Sequence, residues 1–170
     1  MTEQIRTIRT SKSIDAKIQV PPSKSYTNRA LIASALADGT SIINHPSRSD
    51  DSIFLIEALR NFGITINDHG DKLEITGSNG ILTAPKDEIY VGNAGTTLRF
   101  LASFACLAEG ETILTGDDQM NKRPISDLVN ALKSNGIKCS CQNGFPPVKI
   151  QGGNFIGGKI HVDASISSQF

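Results

Sequence analysis

Ile89-Tyr90-Val91-Gly92-Asn93-Ala94-Gly95-Thr96-Thr97-Leu98-Arg99-Phe100-Leu101-Ala102-Ser103-Phe104 is the stretch on which the reading of the fold turns. It opens with strand-forming residues, passes through small and hydroxyl residues, and runs into good helix formers. The same order occurs 71 residues earlier, where Ile18-Gln19-Val20 leads through Pro21-Pro22-Ser23-Lys24-Ser25. It begins again 71 residues later, at Ile160-His161-Val162 followed by Asp163-Ala164-Ser165-Ile166-Ser167-Ser168. A constant period of this size marks repeated supersecondary units.

Working outward, Arg29–Gly39 and Arg99–Gly110 both read as helices that are apolar nearly all round and end at a glycine suited to a C′ cap. Each is followed by a strand, Thr40–Asn44 or Glu111–Thr115. A second helix comes next in each copy. In copy two, Ile125, Leu128, Val129 and Leu132 recur at helical spacing, with Pro124 at the first turn and Gly136 past the end. In copy one the matching helix runs from Asp50 or Asp51 to Asn61 and closes at Gly63, 73 residues before Gly136. Two strands complete each copy, Ile64–Asn67 with Lys72–Thr76, and Ile137–Cys141 with Val148–Gln151. The chain therefore reads as an α/β (α+β) fold of β-α-β-α-β-β units packed about an axis. The units cover about 14–84 and 85–156, and a third starts at 157–170 and breaks off at Phe170. Stacked units bury their apolar faces on one another, so a fragment of a longer protein is the expectation.

Composition narrows the functional classes. The 170 residues are 38% apolar and 20% charged, which suits a packed core. Seventeen basic residues balance 17 acidic ones, which argues against a nucleic-acid coat or a polybasic membrane binder. No apolar run approaches the roughly 20 residues that span a bilayer. Met1–Lys12 has no apolar signal segment, so a cytoplasmic protein is expected. Three cysteines, Cys106, Cys139 and Cys141, then read as reduced thiols. Cys139 and Cys141 fall on one face of a strand, but His45, His69 and His161 stand at no ligand spacing, so neither metal nor cofactor is expected.

The repeated loops sit where strands end and helices begin. Helix N-termini carry free N–H groups and about half a positive charge, and so favour anions. Lys24, Arg29, Arg99 and Arg123 lie in or beside these positions, and within a neutral chain they point to a small polyanionic ligand. Taken singly, each has a plainer reading. An arginine near a helix start is usually solvated or paired, Asp50-Asp51 suits a helix N-terminus, and Asp117-Asp118 suits a polar turn. Recurrence at one period is what favours the site. Ser23-Lys24-Ser25 lacks the glycines of a P-loop, no GxGxxG or GxSxG is present, and Cys106 lies in an apolar helical run without an adjacent base.

Four ordered motifs resemble the 3-phosphoshikimate 1-carboxyvinyltransferase (EPSP synthase) family, shikimate-pathway enzymes targeted by glyphosate. They are Pro21-Pro22-Ser23-Lys24-Ser25-Tyr26-Thr27-Asn28-Arg29-Ala30, Gly92-Asn93-Ala94-Gly95-Thr96-Thr97-Leu98-Arg99, Gly116-Asp117-Asp118-Gln119-Met120-Asn121-Lys122-Arg123-Pro124-Ile125, and Ser167-Ser168-Gln169-Phe170. The resemblance implies units packed by pseudo-threefold symmetry into two domains, with this chain forming most of the N-terminal one and the C-terminal one absent. It implies transfer of the enolpyruvyl group of phosphoenolpyruvate to shikimate 3-phosphate, with release of phosphate. By the same resemblance Lys24 touches both substrates, Ser25, Arg29, Ser167 and Ser168 hold shikimate 3-phosphate, and Gln169 lies between the two. Gly95 presents its N–H, and Arg123 its guanidinium, to phosphoenolpyruvate. Asn93, Thr96 and Arg99 are further matched positions. Phe100 departs from a proline found there in many members. The proton-transfer residues are expected beyond Phe170, so the chain alone is expected to be inactive. Beyond the two substrates and the C-terminal domain, no nucleic-acid or membrane partner is implied. The related UDP-N-acetylglucosamine enolpyruvyl transferases expect a Gly-Ala-Lys-Asn-like loop and a reactive loop cysteine, neither of which occurs. A non-catalytic anion-binding module of the same fold is the alternative from another class. A relative of RNA-end cyclases fits poorly with the neutral charge.

Overall fold

The computed structural model describes residue 7 and residues 10–165. Copy one folds as helix α1 (Lys24–Leu36), strand β1 (Thr40–Asn44), helix α2 (Asp50–Asn61) and strands β2 (Thr65–Asp68) and β3 (Lys72–Thr76). A short strand β4 (Leu82–Thr83) leads into copy two. That copy comprises β5 (Ile89–Tyr90), α3 (Gly95–Phe104), β6 (Ala108–Thr115), α4 (Ser126–Ser134), β7 (Lys138–Gln142) and β8 (Phe145–Gly152).

Each copy builds one sheet around its last strand. β3 lies between β1 and β2, antiparallel to both. Its alternate residues Leu73 and Ile75 are fully buried, so one face of the sheet closes on the core. β8 lies likewise between β6 and β7, again antiparallel. The other edge of β6 is shared by two parallel strands, β4 at Ala108–Glu109 and β5 at Leu114–Thr115.

The repeat extends to individual hydrogen bonds. α2 ends with Gly63 at φ +86°, Gly63 N–H on Arg60 O (2.9 Å) and Ile64 N–H on Leu59 O (3.1 Å). α4 ends in the same way, with Gly136 at φ +84°, Gly136 N–H on Lys133 O (3.0 Å) and Ile137 N–H on Leu132 O (3.2 Å). Both are Schellman motifs, and only glycine takes the left-handed position without a Cβ penalty.

One core serves both copies. Leu31 of α1, Leu55 and Leu59 of α2, Leu98 and Leu101 of α3, and Leu114 and Ile150 of the second sheet are all essentially inaccessible to solvent. Phe62 and Phe104 meet edge to face across the two copies, with ring centroids 5.1 Å apart. Burying a side chain of this size contributes about 1.5–3 kcal/mol, so neither copy keeps its apolar faces covered without the other.

Three expectations need correction. Ile18–Val20 and Ile160–Val162 form no strand, and Ile18 and Val20 are 82% and 71% exposed. Copy two seats its opening strand β5 on the free edge of β6, whereas in copy one β1 pairs with β3 alone. Strand-forming residues without a paired neighbour remain extended coil. The first helices also start earlier than their apolar runs, at Lys24 and Gly95, so the motif residues occupy first turns rather than loops. Finally, neither glycine takes the C′ position expected of it: α1 ends at Leu36 with Ala37 as an extended C-cap, so Gly39 lies one residue too far, and Gly110 does not cap α3. The chain tightens into a 3₁₀ turn at Ala105–Leu107 and enters β6 at Ala108, which places Gly110 inside the strand.

Candidate functional site

The N-terminal turns of the helices gather at one place. Ser23 caps α1, its side-chain oxygen accepting from the Tyr26 N–H at 3.4 Å, and this sets Lys24 and Ser25 on the first turn. Lys24 Nζ donates to Asp51 Oδ1 at 3.2 Å, joining the start of α1 to the start of α2. The Thr97 hydroxyl donates to the Asp51 backbone carbonyl at 2.8 Å, joining α2 to the start of α3. Arg99 completes the set. Its guanidinium donates to Gly95 O and to Pro124 O, each at 2.9 Å, and so fixes the approach to α4.

Gly95 is enclosed by cations. A Cβ at this residue would lie 2.7 Å from one Arg123 terminal nitrogen and 3.1 Å from one of Arg99. Arg99 is 6% exposed, whereas Arg123 is exposed. Burial, and then the neighbouring charge of Arg123, lowers the Arg99 pKa from its usual value. Two guanidiniums facing one glycine repel each other, and an anion seated there would relieve that repulsion.

The loop carrying Arg123 is shaped by the preceding motif. Asp117 N–H donates to Gly92 O at 3.1 Å, and Asp117 Oδ1 accepts from the N–H groups of Gln119 (3.0 Å) and Met120 (2.8 Å). This caps the 3₁₀ turn Met120–Lys122, whose end bonds Arg123 N–H to Met120 O at 2.9 Å. Gly116 permits the close approach, since a Cβ there would meet Gly92 O at 2.5 Å. A cleft of about 420 Å³ opens beside the cluster, lined by Asp50, Asp51, Tyr90, Asn93, Ala94 and Asp117 among others.

Of the residues singled out from sequence, Lys24, Gly95, Arg99 and Arg123 are thus linked through Asp51, Thr97 and Pro124. Ser25 and Arg29 lie on the adjoining turn of α1, where Arg29 Nη1 donates to Ser25 O at 3.0 Å. Asn93 is exposed at the cleft, and its carbonyl accepts from Gly95 N–H at 3.0 Å. Thr96 is half-buried on the first turn of α3. Ser167, Ser168 and Gln169 lie outside the described residues.

Sequence reasoning missed three neighbours of these residues. Asp51 reads as a helix-start acid, and only its contact with Lys24 gives it a further role. Thr97 passes for one more small loop residue, although it is wholly buried. Phe100, noted only as a departure from proline, lies beneath Arg29. The cysteines stand apart: burial pushes the Cys106 thiol up to about 11, and it donates to Ala102 O at 3.2 Å. Among the described residues, no group of three or more His, Cys, Asp or Glu side chains is arranged to hold a metal ion, and no helix is long and apolar enough to cross a membrane.

Cations thus collect at the helix starts of an α/β fold built from a repeated unit. The family model of EPSP synthase (3-phosphoshikimate 1-carboxyvinyltransferase) matches residues 8–170, and the chain belongs to that family. It is 43% identical over 166 residues to the 3-phosphoshikimate 1-carboxyvinyltransferase of Methanothermobacter thermautotrophicus, covering 96% of this chain and 39% of that protein. To the Rhizobium etli protein of the same name it is 40% identical over 170 residues, covering 99% of this chain and 40% of the relative. The chain therefore spans about two fifths of the length of the curated relatives it matches. Among solved structures, EPSP synthase from Acinetobacter baumannii superposes with a TM-score of 0.77 at 30% identity, covering 81% of this chain and 32% of that one. The enolpyruvyl transferase NikO from Streptomyces tendae, at 17% identity and a TM-score of 0.54 over 76% of this chain and 29% of that one, shares the fold.

Proposed function

We propose that the chain supplies the N-terminal part of an enzyme that transfers the enolpyruvyl group of phosphoenolpyruvate to shikimate 3-phosphate and releases phosphate. The observation that carries this reading is the placement of Gly95 between the guanidiniums of Arg99 and Arg123, on a helix start that Thr97 ties to Asp51, the residue that holds Lys24. Phosphoenolpyruvate bears a phosphate and a carboxylate on three carbons, and such a ligand suits two facing guanidiniums. Gly95 N–H, which donates to Asn93 O at 3.0 Å, would have to exchange that bond for one to the ligand. Shikimate 3-phosphate carries one phosphate on a polyhydroxylated ring, and the hydroxyl of Ser25 with the guanidinium of Arg29 suits that pattern.

In the transfer, the acceptor hydroxyl adds across the enol double bond, its oxygen to the phosphate-bearing carbon as it gives up its proton, while the methylene carbon gains a proton. Phosphate then leaves from the same carbon and the new methyl group loses a proton, which restores the double bond. Charge builds on the departing phosphate, so fixed cations at Arg123 and Lys24 lower the barrier without reorganising at the moment of reaction. Ser167, Ser168 and Gln169 are assigned to the acceptor side and to the gap between substrates. Asn93 and Thr96 border the phosphoenolpyruvate side, and Arg99 acts by holding Gly95 and Pro124. A C-terminal domain, contributing the proton-transfer groups, closes over this face. The protein works in the cytoplasm on this reading.

The test is an amide-shift titration of the chain with each substrate, followed by addition of the C-terminal remainder of a full-length relative. Shikimate 3-phosphate should move Lys24, Ser25, Arg29 and Ser167–Gln169, phosphoenolpyruvate should move Gly95 and Arg123, and turnover should require the added remainder. Silence at all of these residues with both ligands would remove the reading. Turnover by the chain alone would remove the two-part site.

A further inference from the structure

Arg29 projects from α1 as an exposed side chain, yet two contacts hold it. Its Nη1 donates to Ser25 O, one turn back, at 3.0 Å. Its guanidinium carbon lies 5.8 Å from the centroid of the Phe100 ring, which comes from α3 of the other copy. A cation within about 6 Å of an aromatic face is drawn to the negative side of the ring quadrupole. Phe100 itself is half-buried, at the rim of an apolar groove of about 400 Å³ between α1 and α3 that Ile32, Leu36 and Phe104 also line. The ring is thus seated by its neighbours and can serve as a support.

We propose that Phe100 is a positioning residue for Arg29, a shelf that keeps the guanidinium against the N-terminal turn of α1 before ligand arrives. The hydrogen bond to Ser25 O restrains one terminal nitrogen only, and the side chain could still rotate away about it. A ring under the guanidinium removes that freedom. A pre-placed arginine loses less conformational entropy when it meets a phosphate, and this appears as affinity. The proposal rests on the reading of Arg29 as a contact to the acceptor phosphate, and it adds that copy two tunes a contact made by copy one. Leucine at this position fills the groove rim without a quadrupole, whereas tryptophan offers a stronger one.

The experiment compares the 170-residue chain with its Phe100→Leu and Phe100→Trp variants, using shikimate 3-phosphate and phosphoenolpyruvate as probes. In the unmodified chain the Arg29 side-chain protons should be shifted upfield by the ring current, and in Phe100→Leu that shift should vanish. Phe100→Leu should weaken shikimate 3-phosphate by about two- to fivefold. Phe100→Trp should restore both the shift and the affinity, and phosphoenolpyruvate should bind all three proteins alike. An unshifted Arg29 in the unmodified chain, or equal shikimate 3-phosphate affinity with and without the ring, overturns the proposal. If the unmodified chain shows no saturable binding of shikimate 3-phosphate, the positioning role falls together with the proposed function. An upfield Arg29 in that same sample would trace the failure to the ligand assignment rather than to the ring contact.

Discussion

The Thr97 hydroxyl reaches across from the first turn of α3 to the backbone carbonyl of Asp51, at 2.8 Å, while the Asp51 carboxylate holds Lys24 at 3.2 Å. One buried hydroxyl therefore ties the glycine-bearing turn of copy two to the lysine-bearing turn of copy one. Neither residue needs to touch a ligand for this to matter. The bond adds to the packing of α1, α2 and α3 in holding the Lys24 and Gly95 turns in place.

Thr97→Val keeps the shape of the side chain and removes the donor. We expect a loss of about 1–2 kcal/mol in folding stability by urea denaturation, because the hydroxyl is wholly buried. Thr97→Ser should recover most of it. Equal midpoints for valine and threonine would show that the bond contributes nothing.

Gly95→Ala separates site geometry from fold. A Cβ would strike the far end of Arg123, at 2.7 Å, which can swing away, and would press less closely on Arg99, at 3.1 Å, which need yield only a few tenths of an ångström. Thermal stability should change little, while affinity for phosphoenolpyruvate falls as Arg123 is displaced. A large drop in melting temperature would mean that the backbone, not Arg123, takes the strain.

Gly152→Ala should behave in the opposite way. Its Cβ would lie 2.1 Å from Ala105 O and 2.4 Å from Ala108 O, both backbone atoms. Forcing them apart should cost about 1–3 kcal/mol. Gly77, whose Cβ would lie 2.1 Å from Ala37 O, occupies the corresponding place in copy one and should respond alike. At Gly63 no atom lies within 4 Å, so alanine there should cost only the left-handed backbone penalty of about 1–2 kcal/mol. Circular dichroism melts of the three alanine variants, giving the same order, would check the distinction.

Arg123→Ala should leave folding stability within about 0.5 kcal/mol, since the side chain is exposed and its charge disfavours the ionised Arg99. Binding of phosphoenolpyruvate should weaken by about 2 kcal/mol or more, as when one partner of a desolvated charge pair is lost. Calorimetric titration that found unchanged affinity would remove Arg123 from the site.

Acid stability has a local source at the far end of the first sheet. Arg48 bonds both carboxylate oxygens of Asp68, the second at 2.7 Å, and the Gly70 N–H adds another bond at 2.9 Å. The Arg48 hydrogen bond, then that of Gly70, holds the Asp68 pKa below its usual 3.8. The unfolded chain therefore takes up this proton first as pH falls. The contribution is fully present above about pH 4 and is lost as pH drops through the folded value. Both side chains are more than a third exposed, so solvent screening keeps the effect at or below about 1 kcal/mol. Urea midpoints between pH 5 and 2 should fall less steeply in Arg48→Ala than in the parent, and parallel curves would count against it.

Much of the fold was legible because its signals are local. Thr40–Asn44 and Lys72–Thr76 are strands over the residues read from their pattern, and α2 ends at Asn61 with Gly63 beyond it. A left-handed glycine after an amphipathic run stops a helix whatever surrounds it. Ile18–Val20 failed for the opposite reason. Its residues favour strand as strongly as those of Ile89–Tyr90, but pairing needs an edge, and β1 does not receive it. The start of α3 failed in a milder way, since Gly95-Thr96-Thr97 has weak helix propensity and is helical because Thr97 and Arg99 anchor it.

Residue types at fixed spacing along one chain were enough for the repeat, for the order of elements in copy two and in copy one from its first helix onward, for the balance of charge and for the identity of the cations. It took the packing of the folded chain to bring Asp51 onto Lys24, to set Arg99 and Arg123 against each other over Gly95, and to lay Phe100 of one copy beneath Arg29 of the other. Those contacts join residues 24 to 71 positions apart, and such distances close only when the shared core sets the two copies against each other.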